Sequence, residues 1–351
     1  MISFIRRSKI WFGLSGLAVG LSILAFLVFG FNFGIDFTGG SLLELKFQQT
    51  VDAPKIAEAF TSSDLKLGNP IITPTDSGSF LIRTRFLEEE ERVKLEGELG
   101  KSLGSFETMR FTTTGPTLGQ SLRERALRAI AYASIAIVLY LAAVFRNTRR
   151  DSLTKYVSIG SLLGFATIVA ETMVEDDFTR WVVFLAILAI FFIFLAFEIR
   201  KNSMSLKYGV CAIIALIHDI IITLGVLVIL GKFLGVEVDS LTVTALLTIL
   251  GFSVHDTIVV FDRMRENRKF QTANESLAMV ADKSLNQTLA RSINTSMSTI
   301  IVLAILFFLG AESIKWFVFT LLCGIIVGTY SSIFTATPLL VAWENRRRNS
   351  N

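Results

Sequence analysis

Two dipeptides stand out as groups that could do chemistry: His218-Asp219 and His255-Asp256, each set in a long apolar run, together using both histidines of the 351-residue chain. An imidazole and a carboxylate within a hydrocarbon-like helix are costly, and such groups are usually paired, line a wet cavity or carry ions. A proton pathway is the chemistry they suggest. The same groups also serve as plain helix fasteners, or reach the membrane interface from a helix end. Successive helical residues point about 100° apart, so neither histidine is expected to face the aspartate beside it. Each partner should then come from another helix.

Asp256 precedes Asp262 by six residues, which sets it about 9 Å deeper than a residue at the headgroups. Ser253 and Val260 share its face, Thr257 follows it as a supporting polar group, and Thr244, Thr248, Gly251 and His255 line the adjacent stripe. The following helix opens with Arg291, then Asn294, Thr295 and Ser298 at i+3, i+4 and i+7. This polar stripe is expected to face other helices. Arg291 is the natural counter-charge for Asp256, and a carboxylate holds its proton differently with and without such a partner. Making and breaking the pair would move a proton; a static ion pair would only hold the bundle, and spacing alone admits both.

The chain around these residues is that of a polytopic α-helical membrane protein. Hydrophobic residues make up 52%, charged residues only 18%, and the mean hydropathy is +0.59, well beyond what suits a soluble surface. The net charge of +4 sits in short basic segments beside apolar runs, a topology signal rather than a nucleic-acid groove. Cys211 and Cys323 both lie in apolar runs, so neither a disulfide framework nor a metal site is indicated. With no HExxH zinc motif and no GxSxG elbow, an intramembrane hydrolase is disfavoured, and the expectation is a non-enzyme without cofactor or metal.

Five segments follow along the chain. Residues 1–37 hold a basic tail (Arg6, Arg7, Lys9), a retained first span from about Ile10 to Phe31, and an exit ending Asp36-Phe37, before Thr38-Gly39-Gly40. Residues 38–119 carry four of the five prolines and alternate as strand, helix, strand or hairpin, helix, strand, the pattern of a small ferredoxin-like α+β domain outside the cytoplasm. Its strands are expected at Ser41 to Phe47, Ser79 to Phe86 and Thr108 to Thr114, and its helices at Pro54 to Phe60 and Glu88 to Leu103. Residues 120–146 form a second span and 147–204 an inserted apolar hairpin (about 156–170 and 181–197). Residues 205–351 form a four-span bundle, with a surface helix over Glu275 to Leu289, a span from Ile293, and a basic tail. Both termini are expected in the cytoplasm.

Phe33-Gly34-Ile35-Asp36-Phe37-Thr38-Gly39-Gly40, Ala215-Leu216-Ile217-His218-Asp219, His255-Asp256-Thr257-Ile258-Val259-Val260-Phe261-Asp262-Arg263-Met264-Arg265-Glu266-Asn267 and the stretch Asn286 to Ser296 resemble the SecD/SecF family of the bacterial Sec translocase, within the resistance-nodulation-division superfamily. The resemblance covers the first 146 residues and about 205 to 342. It implies an accessory subunit in the bacterial inner (cytoplasmic) membrane that pairs with SecD, assists the SecYEG channel and uses the proton gradient to promote preprotein translocation, surrounded by membrane lipids. By the same resemblance Asp256 is the proton carrier and Arg291 its partner. His218, Asp219 and His255 then belong to the proton pathway, and Asp36, Gly39 and Gly40 to the exit motif. The family has six spans, so the hairpin at 147–204 is an addition. The alternative within the superfamily is an exporter of lipids or small molecules, which would need a substrate pocket in the outer domain.

Overall fold

The computed structural model describes residues 2–63, 65, 67–68, 70–75, 78–144, 176, 178–187, 189, 204–272 and 275–348. Contacts divide the chain into two units: Phe31–Leu127 with Leu230–Leu241, and Met1–Gly30 with Arg128–Ile229 and Thr242–Asn351.

In the first unit a short helix α2 (Ile35–Thr38, following α1 at Ser8–Phe29) leads into β1 (Gly40–Phe47). Then come α3 (Ala53–Thr61), β2 (Ile71–Pro74), β3 (Phe80–Thr84), α4 (Glu89–Leu103) and β4 (Phe106–Thr114). The strands form one sheet in the order β2-β3-β1-β4, with every neighbouring pair antiparallel. Period-two alternation sends Leu43 and Leu45 of β1 and Ile82 of β3 to one face, where Ile56 and Phe60 of α3 and Leu95 and Leu99 of α4 close the core. The expected strands and helices agree with these to within about two residues, the usual uncertainty at element ends.

Local chemistry explains the boundaries. Asp52 stands at the N-cap of α3 in extended backbone, with a proline in the first turn. Glu88 and Glu91 close a capping box at the start of α4. Arg85 pairs with Glu91 at 2.6 Å, and Arg92 pairs with Glu89 and, at 2.7 Å, with Glu96. The hydrogen bonds from Arg92 and Arg85 hold Glu89 and Glu91 below the usual carboxylate range. At the head of β1, Gly39 and Gly40 have φ of 71° and 126°, conformations in which glycine avoids a Cβ clash. A Cβ on Gly40 would also lie 2.7 Å from the Thr84 carbonyl oxygen, and one on Gly39 2.8 Å from Pro116 Cα.

The second unit is helical: α1, α5 (Pro116–Val144, counted here from Arg128), α6 (Phe178–Ile187), α7 (Met204–Leu234, to Ile229), α8 (Ser240–Lys269, from Thr242), α9 (Leu277–Leu309), α10 (Lys315–Ser331) and α11 (Thr337–Arg348). A π-helical segment, Ser332–Ala336, joins α10 to α11. Among the described residues, five stretches are long and apolar enough to cross a membrane: Ile5–Phe29, Lys207–Leu234, Ser240–Lys269, Leu277–Leu309 and Glu312–Arg346. The expected second span falls on α5, whose described part ends at Val144. The expected run at 156–170 lies outside the described residues, and of the run at 181–197 the structure describes only the part in α6 and residue 189. Where a surface helix and a separate span were expected, α9 is continuous for 33 residues, because no glycine or proline interrupts it. A buried ion pair, Lys207 to Glu344 at 2.5 Å, ties α7 to α11.

Two outcomes are expected. Gly40→Ala destabilises the α+β unit by about 1–3 kcal/mol through backbone strain, read as faster hydrogen exchange of β1 amides. Glu89 and Glu91, with folded pKa values below their unfolded ones, stabilise α4 above the unfolded value. That contribution is lost in acid, as pH falls below the unfolded glutamate value and through the folded ones. Exchange in the first turn of α4 should therefore accelerate there and not near neutrality.

Candidate functional site

The polar residues singled out in the sequence separate into a buried cluster and an exposed set. Asp219 on α7 is 0% exposed and Asp256 on α8 2%. The Asp219 carboxylate accepts hydrogen bonds from Ser253 Oγ of α8 at 2.5 Å and Ser331 Oγ of α10 at 2.8 Å. His218 Nδ1 lies 2.9 Å from its other oxygen. The expectation that neither histidine meets its neighbouring aspartate therefore fails at His218: helical spacing fixes where Cβ points, but side-chain rotation swings the imidazole back to the carboxylate. The His218 ring also stacks on Tyr330, with centroids 6.3 Å apart.

Asp256 is held differently. Its Oδ2 accepts from Ser296 Oγ of α9 at 3.1 Å; Thr329 Oγ1 of α10 lies 3.5 Å from the same oxygen and 2.6 Å from Ser296 Oγ, so its one proton serves one or the other. Thr257 Oγ1 meets Ser332 Oγ at 2.9 Å. Thus Thr329, Ser331 and Ser332, almost consecutive at the α10/π junction, serve Asp256, Asp219 and Thr257 in turn.

Arg291, Asn294, Thr295 and Ser298 are all exposed, as is His255. Among the described residues no ion pair joins Arg291 to Asp256. The inward stripe of α9 is Ser284, Thr288, Ser292 and Ser296, spaced by four. Arg291 precedes Ser296 by five positions, about 140° around the helix. The expected stripe is therefore one face out of register, and hydroxyls take the place expected for the guanidinium.

The hydroxyl donors Ser296, Thr329, Ser331 and Ser332 were not anticipated. One signal for them was present: Gly324 and Gly328 form a GxxxG pair in an apolar run, which lets helices approach closely. A Cβ at Gly328 would lie 3.0 Å from Ser253 Cβ. The π-helical segment next to Ser331 is of the kind often found at functional sites.

A second set of contacts surrounds the exit motif. Leu230–Leu241, which includes the turn between α7 and α8, belongs by its contacts to the α+β unit. Val238 pairs with Asn32 and Gly34 through backbone bonds of 2.8 and 2.9 Å. Asn32 Nδ2 donates to the Gly235 and Val236 carbonyls, and Arg83 pairs with Glu237. Asp36 accepts from the Ser240 amide at 3.0 Å and from its hydroxyl, capping α8 from a distant part of the chain. The turn connecting the two helices that carry the aspartates is thus strapped to the α+β unit.

Residues 95–154 and 155–346 match the family described as "Protein export membrane protein SecD/SecF, C-terminal", and residues 24–51 match the SecD/SecF GG motif. The chain belongs to the SecD/SecF family. Protein translocase subunit SecF of Thermobaculum terrenum is 37% identical over 99% of this chain and 95% of its own length. SecF of Anaerolinea thermophila is 32% identical over 98% and 95%. The crystal structure of SecDF, a translocon-associated membrane protein from Thermus thermophilus, superposes with a TM-score of 0.69 at 28% identity, covering 98% of this chain and 39% of that one. Family membership and several membrane-length helices make this a multi-pass membrane protein of protein translocation. The matched GG motif coincides with the strap, since it holds Asn32, Asp36, Gly39 and Gly40.

Asp36→Ala should free the α7/α8 turn. The expected signature is faster hydrogen exchange over 235–241 and the first turn of α8, with a loss of about 0.5–2 kcal/mol for the missing cap; unchanged exchange there would show that the strap holds without Asp36.

Proposed function

We propose that this chain is the SecF-type partner of a SecD subunit and assists the SecYEG channel, drawing on the proton gradient to promote preprotein translocation across the bacterial inner membrane, with both termini in the cytoplasm. The observation that carries the proton part is Asp256: a carboxylate 2% exposed in a membrane bundle, with hydroxyl partners and no ion pair among the described residues. An ionised carboxylate is costly in such surroundings. A protonated one is satisfied by Ser296 and Thr329, so gain and loss of a proton change what this site can tolerate. Asp219 is a second buried carboxylate, bonded by Ser331 of the same helix α10 and with His218 as its neighbour.

The α+β unit fits the mechanical half of the reading. Its βαββαβ order and β2-β3-β1-β4 sheet support the reading of a ferredoxin-like domain; in the same reading six family spans are the expected complement and the hairpin at 147–204 is additional. Both aspartate-bearing helices end in the strapped turn, so a rearrangement of α7 and α8 driven at Asp219 or Asp256 would be delivered to the exit motif and β1. In this reading the Asp256–Arg291 contact belongs to another conformation of α9. Reaching it takes a rotation that exchanges the serine face for the arginine face.

The test is Asp256→Asn in inverted membrane vesicles with SecD and the channel present. The amide keeps the shape and hydrogen bonding but cannot release a proton, so the gradient-dependent part of export should fall at least about tenfold, the equivalent of 1.4 kcal/mol, while co-purification with SecD and the SecY channel persists. Full gradient-dependent export by Asp256→Asn would overturn the proton assignment. Failure of the wild-type chain to co-purify with SecD would overturn the partner assignment.

A further inference from the structure

The first residues of the chain are held against the bundle. The Asp282 carboxylate of α9 accepts the amides of Phe4 and Ile5 at 2.8 and 3.0 Å and the Ser3 hydroxyl at 2.9 Å. Asn286 accepts from the Ile2 amide at 2.9 Å and donates to its carbonyl at 2.8 Å. These bonds fix the short 3₁₀ turn Ile5–Arg7 at the end of the first span remote in sequence from the α+β unit.

Beside that turn opens a cavity of about 770 Å³. Its apolar wall is Phe4, Trp11 and Phe334, with Ile2 at the edge, and Arg6 and Arg7 form the polar side. The wall is built: Trp11 and Phe334 have ring centroids 4.4 Å apart, Phe4 and Phe334 5.8 Å, and the Trp11 indole donates to the Phe4 carbonyl at 3.2 Å. Both arginines are exposed, and among the described residues neither forms an ion pair. Asp282, the carboxylate that anchors this segment, has both oxygens engaged by Ser3, Phe4 and Ile5.

We infer that this cavity binds the headgroup of an anionic membrane phospholipid. Two guanidinium groups offer forked donors that match phosphate oxygens. The aromatic wall suits the glycerol backbone and first methylenes below the phosphate. The cavity lies at the start of a membrane-length helix, Ile5–Phe29, the level at which tryptophan and basic side chains meet headgroups. A soluble phosphate compound would use the arginines but not the wall. The inference rests on the chain being a membrane protein and not on the proton reading.

The experiment is native mass spectrometry of the full chain released from mixed micelles containing phosphatidylglycerol or phosphatidylcholine. Each arginine near the surface contributes roughly fivefold to anionic-lipid binding, so R6Q/R7Q should weaken phosphatidylglycerol retention by about 25-fold. R6K/R7K, which keeps the charges, should retain most of it and shows whether the segment still folds. Equal retention by wild type and R6Q/R7Q, or phosphatidylcholine held as firmly as phosphatidylglycerol, would overturn the inference. Displacement of phosphatidylglycerol by millimolar inorganic phosphate would reassign the cavity to a free anion and overturn it as well.

Discussion

Holding a carboxylate away from water inside an apolar bundle is the constraint on which this molecule turns. The penalty for an ionised group in such a place is several kcal/mol unless donors or a counter-charge offset it. Here the donors are hydroxyls. Ser253 and Ser331 converge on Asp219, and Ser296 and Thr329 on Asp256. Hydroxyls serve either protonation state of a carboxyl, since each can donate or accept; a guanidinium carries a full positive charge and favours the ionised form. A site built from hydroxyls therefore tolerates a change of charge that a site built from an arginine would oppose.

That chemistry requires close helices, and the packing supplies them. Gly324 and Gly328 bring α10 onto α8, with Ile249 and Ser253 as their neighbours. The π-helical segment following Ser331 changes the helical phase within the last span, at the point where its residues turn from Asp219 to Thr257. The Lys207–Glu344 pair closes another part of the bundle between α7 and α11, with each charge offset by the other, in contrast to the aspartates.

The α+β unit is governed by a different requirement, a tight backbone passage from α2 into β1. Gly39 and Gly40 make that change at φ values and approach distances that other residues do not accept. Asp36, three residues earlier, spends its carboxylate on the start of α8. One short motif thus both launches β1 and grips the turn between the two aspartate-bearing helices.

Much of this was legible in the sequence. Alternation over Ser41 to Phe47 and the acidic first turn of the helix from Glu88 to Leu103 marked elements of the α+β unit, because period-two burial and helix-end charge are local properties. The depth of Asp256 and the isolation of Asp219 in an apolar run were equally plain, since hydropathy is read along the chain. What the sequence could not determine was rotation. Arg291 and Ser296 both lie on one polar helix, and only packing decides which face turns inward; the answer was the serines, leaving the arginine outside. His218 reaching Asp219, the strap between Asp36 and Ser240 across 204 residues, and the anchoring of Ile2 to Phe4 on α9 likewise exist only in the folded chain, because each depends on side-chain rotation or on contacts between segments far apart in sequence.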